Sequence, residues 1–110
     1  MSVNPNALAG AIRQLQDGIK ALGKPVQFFE AGAVTGRTVR ARVVYLSAVE
    51  LANSIEQYPI RITVDARDFT TRPPQKGDTF VIDDARRGVM QVTESHIGET
   101  LVQYKCGVAG

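Results

Sequence analysis

The stretch TFVIDDARRGVMQVTESHIGETLVQYKC, residues 79–106, decides the fold. Phe80 and Ile82 belong to one short strand, Val89–Thr93 to the next, and Thr100–Cys106 to a third. Between them lie a charged hairpin loop, Asp83–Gly88, and a second turn, Ser95–Gly98. Short strands recurring at roughly ten-residue intervals predict a small antiparallel barrel or sandwich.

Working outward, Thr71–Asp78 is a turn segment with two prolines and a glycine. Gly77 tolerates positive φ and Asp78 can accept hydrogen bonds from nearby amides, so this pair reads as a hairpin turn and nothing more. Upstream, Ile60, Ile62 and Val64 alternate with Arg61, Thr63 and Asp65, a strand with one buried face. Val39, Ala41, Val43 and Tyr45 point one way along an earlier strand; Thr38, Arg40, Arg42 and Val44 point the other. Val26, Phe28 and Glu30 alternate with Gln27 and Phe29, and residues 31–36 form a loose turn. Leu46–Pro59 lacks clean alternation and reads as a short helix or a long hairpin tip. A connection longer than about 12 residues is uncommon in so small a domain and is often functional.

The period changes to 3.6 at the start of the chain. Leu8, Ile12, Leu15, Ile19 and Leu22 fall on one helical stripe, with Arg13, Gln16, Asp17 and Lys20 opposite. Asn4 suits the N-cap and Pro5 the first helical position; Gly23 ends the helix, with Lys20 in its last turn and Pro25 beyond. Gly10 and Gly18 each weaken it by about 1 kcal/mol relative to Ala, so it needs a surface to pack on, either its own β-core or a neighbouring subunit.

The chain of 110 residues fits one domain: a helix over 5–22 and a barrel over 25–107 with 46–59 inserted. The class is mainly β. No apolar run approaches the roughly 18–20 residues that cross a bilayer, so no membrane partner is expected. The opening MSVNPNALAG does not read as a signal peptide. One cysteine, Cys106, cannot form an internal disulfide and reads as a small strand residue, consistent with synthesis in a cytoplasm. A net charge of +2 does not by itself argue for nucleic acid.

Catalysis is not expected. His96 is the only histidine, no serine elbow surrounds a candidate nucleophile, and Asp83-Asp84 lacks the further oxygens of a calcium loop. No glycine loop precedes a helix as a phosphate cradle would, and no cofactor or metal is expected.

Three runs carry a family resemblance: Val64-Asp65-Ala66-Arg67-Asp68-Phe69, Pro74-Gln75-Lys76-Gly77-Asp78-Thr79-Phe80-Val81-Ile82-Asp83, and Gly88-Val89-Met90-Gln91-Val92. In pattern and wording the chain resembles the head–tail joining (connector or stopper) proteins of lambda-like tailed bacteriophages. The resemblance implies a structural virion protein in the phage neck. Made in the bacterial host cytoplasm, it would assemble with itself as a ring, a hexamer in the family. A portal or adaptor protein would lie on the head side, and a tail terminator or tail tube protein on the tail side. Such a ring joins the DNA-filled head to the tail and helps retain DNA. A tail-terminator or other neck ring is the nearest alternative; a small SH3- or OB-like module binding nucleic acid or peptide is another.

Two groups of residues are the expected contacts. Val49, Leu51, Ile55 and Tyr58 in the inserted loop would pack on a neighbouring subunit or the tail, or else fold back on the core. Arg37, Arg40 and Arg42 would face the DNA channel or a neighbour's acids, or else form a solvated face paired with acids such as Asp65.

Overall fold

The computed structural model describes residues 5–53 and 58–109, with side chains from 7 to 52 and from 58 to 109. Asn4 and Ile55 lie outside the described residues. Helix α1 (Pro5–Leu22) leads into β1 (Lys24–Phe29) and β2 (Arg37–Tyr45). A short helix α2 (Ala48–Asn53) precedes β3 (Ile60–Asp65), which runs into one 3₁₀ turn, Ala66–Phe69. Then come β4 (Thr79–Ile82), β5 (Ala85–Ile97) and β6 (Thr100–Val108). The six strands close into an antiparallel barrel in the order β1-β2-β3-β6-β5-β4, so the expected mainly β class and N-terminal helix are observed.

Period-two alternation explains the closure. Val39 and Ala41 of β2, Ile60, Ile62 and Val64 of β3, and Tyr104, Cys106 and Val108 of β6 all point inward and are buried. Phe28 stands at the centre, its ring 5.1 Å from Phe69 edge-on and 5.0 Å from Phe80. Phe69 in turn lies edge-on to Tyr104 at 6.1 Å. These offset and edge contacts suit aromatic quadrupoles.

Three strand expectations need correction. Tyr45 does not join the inner face: at the end of β2 its ring is 52% exposed, and its hydroxyl bonds Asp83 at 3.2 Å. The loop expected at Asp83–Gly88 shrinks to Asp83-Asp84, because Ile82 already pairs with Ala85. Both aspartates adopt left-handed backbone (φ 51° and 65°), as a two-residue hairpin that follows strand twist requires. The turn expected at Ser95–Gly98 is likewise Gly98-Glu99 alone, with Ile97 opposite Thr100. β5 therefore runs for 13 residues and absorbs two register shifts, at Val89/Gln91 and Ser95/His96.

The helix stripe is only partly buried, which corrects its reading. Ile19 is buried at 5% exposure, Leu8 and Ile12 are half-buried, and Leu22 stands 73% exposed with Leu15 also open. Gln16, assigned to the polar face, is buried instead and reaches the Val102 carbonyl at 3.4 Å. α1 lies across the outer face of β2, β3 and β6, rotated so that the Gln16–Ile19 edge meets the sheet. Polar ties fix that rotation: Lys20 to Asp68 and Arg67 to Asp17, each at 3.4 Å.

Candidate functional site

Many of the charged groups have structural work. Arg40 donates to the Lys20 carbonyl (2.8 Å) and the Gly23 carbonyl (2.6 Å), so a guanidinium from β2 caps the helix C-terminus, where orphan carbonyls and the dipole favour a cation. Gly23 permits that approach, since a Cβ there would lie 2.6 Å from the Ile19 carbonyl oxygen and 3.0 Å from that of Ala41. Arg37 points to the inner side of the strand, its Cζ 4.6 Å from the Phe69 centroid and 5.6 Å from that of Phe28. Asp65 pairs with neither Arg40 nor Arg42; it accepts from the Arg67 amide (2.9 Å) and from the Arg67 guanidinium (2.9 and 2.6 Å). Arg37, Arg40 and Arg42 therefore do not form one patch.

Asp78 is more than a turn residue. It is fully buried and accepts from the backbone amides of Ala31 (3.0 Å) and Gln75 (2.7 Å). Arg72 clamps both carboxylate oxygens, at 2.8 and 2.9 Å. Gly77 (φ 99°) and Asp78 also bond Val89 through their backbones, at 3.0 and 2.8 Å. The carboxylate thus ties the β1–β2 turn to the Arg72–Asp78 turn, while the backbone of Gly77 and Asp78 ties that turn to β5. Burial opposes its charge, yet the hydrogen bonds from Arg72, Gln75 and Ala31 outweigh it and hold the carboxyl below its ordinary value.

Arg42 belongs elsewhere. On the outer sheet face it stands opposite Thr63, Thr63 opposite Lys105, and Lys105 opposite Thr93. The next row is Val44, Arg61, Gly107 and Gln91. A hollow of about 320 Å³ lies between this face and Leu15, Ile19 and Leu22 of α1. A second, of about 260 Å³, continues past Arg61 and Lys105 to Tyr58, Gln91 and Thr93. Together they form a trough with a cationic floor and partly apolar walls. No acidic residue lines it among the described residues. Arg42 and Lys105 have no hydrogen bond or ion pair among the described residues.

The inserted loop is partly folded back. Its ends are pinned by the Leu46 amide bonding the Pro59 carbonyl at 2.8 Å. Ser47 caps α2 by accepting from the Glu50 amide at 3.1 Å. Val49 is well exposed and Leu51 half-buried. Tyr58 packs against Gly107 of β6, where only a glycine fits: a Cβ there would stand 2.7 Å from its ring. Tyr58 is thus the trough's far wall rather than part of a free arm.

The residues considered for catalysis lie apart. Cys106 faces the core, and burial pushes its thiol up to about 12. His96 sits in β5 with Glu94 at 3.8 Å as its acidic neighbour. Among the described residues no three His, Cys, Asp or Glu gather as metal ligands would, and no helix is long and apolar enough to cross a membrane.

The trough is not legible as a unit in the sequence, because its cations come from three strands that only the barrel brings together. Alternation marked Arg42 and Arg61 as outward; nothing local marked Lys105 as their neighbour. Comparison with family models, curated proteins and solved structures finds no match for the chain.

Proposed function

We propose that the chain is a structural ring subunit of the neck of a tailed bacteriophage, joining the DNA-filled head to the tail, with no catalytic step of its own. The observation that carries the reading is the segment Val64–Val92, whose wording resembles the joining proteins and which builds the buried Asp78 tie at the base of the β5–β6 hairpin. A closed barrel supports it. With its strands paired around the ring of the sheet, such a subunit joins neighbours by side-chain surfaces. The chain also carries surface left over for contacts: Leu22 and Val49 are exposed, and Arg42 and Lys105 lie in a trough that no acid lines among the described residues. By resemblance the ring is hexameric, with a portal or adaptor above and a tail terminator or tail tube below.

A binding module for nucleic acid is the second reading, favoured by the cationic trough with Tyr58 on its wall. Disrupting the gene in a phage that encodes the chain separates the two. The neck reading predicts filled heads and finished tails that fail to join; joined, infectious particles at normal yield would sink it.

A further inference from the structure

The trough has a counterpart on the same chain. After Gly88, β5 leaves β4 and has β6 as its only strand neighbour, and Thr100–Val102 of β6 pairs with β5 alone. Residues 94–100 therefore form the end of a two-stranded ribbon. Glu94, His96, Gly98, Glu99 and Thr100 are exposed there, and Ile97 is half-buried. Among the described residues Glu99 has no hydrogen bond or ion pair, and Glu94 pairs with His96 alone, at 3.8 Å. The ribbon end carries carboxylates beside an apolar Ile97; the trough carries Arg42 and Lys105 between the apolar walls of Leu15, Leu22 and Val44.

We propose that the trough receives the ribbon end, Glu94–Thr100, of a second copy of this chain, with Glu99 and Glu94 meeting Lys105 and Arg42. The two patches are different parts of the surface, so the contact is heterologous and propagates from copy to copy until it closes. Opposite charge fixes orientation and register, and like charges brought together there oppose the wrong docking. The inference rests on the ring reading and names the surfaces that make the ring. The apolar helix edge that the stripe Leu8–Leu22 leaves open then becomes an inter-subunit wall, which explains why α1 docks by Gln16 and Ile19 while Leu15 and Leu22 face outward.

The test is a charge swap in the full chain, read by sedimentation from micromolar to millimolar concentration at low salt. The wild type is expected to self-associate, more weakly as salt rises. Lys105→Glu alone and Glu99→Lys alone should each weaken association at least tenfold. The doubly substituted chain should return to within about threefold of the wild type, since the swap restores opposite charges. Circular dichroism confirms that each variant folds. A wild type that stays monomeric throughout, or a double variant no better than the singles, overturns the docking. Binding of a fluorescent DNA duplex by the monomer, lost in Lys105→Glu while self-association is unchanged, overturns it in favour of nucleic acid. The two levels fail separately. A neck ring that assembles normally with either single reversal removes this docking and leaves the neck reading. Self-association obeying the swap, by a chain absent from particles, removes the neck reading and leaves the docking.

Discussion

The Asp78 corner and the trough are two charged regions built by the same barrel, and they treat charge in opposite ways. At the corner a buried carboxylate has four donors from two segments, and Arg72 meets it with both arms. In the trough Arg42 and Lys105 face a hollow that no acid lines among the described residues. The first region closes the molecule on itself; the second leaves charge for something outside it. Cations with partners inside the chain are thus structural, and the sequence does not distinguish them from the others, since Arg40 and Arg42 are two residues apart on one strand face.

Substitutions at the two regions should separate stability from association. The largest loss is expected for Asp78→Ala, which leaves the Arg72 guanidinium and two amides without their acceptor: about 3–5 kcal/mol by urea denaturation. A loss under about 1 kcal/mol would make the corner incidental. Gly107→Val comes next, at roughly 1–3 kcal/mol, because its Cβ displaces the Tyr58 ring; an unchanged midpoint would mean that Tyr58 does not rest on β6. Arg40→Ala should cost about 1 kcal/mol and speed amide exchange in the last turn of α1, which it caps. Arg42→Glu and Lys105→Glu should leave the midpoint within about 0.5 kcal/mol, their effect appearing in self-association alone. A trough variant that unfolds the chain would erase the contrast between the regions.

The corner also predicts an acid limb. The folded carboxyl of Asp78 lies below its unfolded value, so its contribution is complete above the unfolded range, near pH 4, and is lost as pH falls through the folded value. Asp78→Asn should flatten stability against pH below about 4 relative to the wild type. An identical acid limb in both proteins would assign that limb to other carboxylates.

Much of the barrel was legible because period-two alternation is a local signal: Val39 and Ala41, then Ile60, Ile62 and Val64, point inward as the spacing predicts. The misreadings share a cause. Asp83–Gly88 looked like a loop because charges and a glycine cluster there, yet Arg86 points outward to stack 4.3 Å from the Phe29 centroid, and the turn needs only two left-handed aspartates. Gly77-Asp78 looked like a bare turn because the Ala31 amide is 47 residues away in sequence. The helix stripe gave the right element and the wrong rotation, since Gln16, Lys20 and Arg67 choose which edge meets the sheet. The trough depends wholly on register between β2, β3 and β6, which no single segment encodes.

The most direct test of the neck reading is imaging of tailed particles carrying a labelled copy of the chain, by electron microscopy of purified virions. The account predicts label as a single ring at the head–tail junction of every joined particle. Label absent from virions, or spread along the tail or over the head, would contradict it.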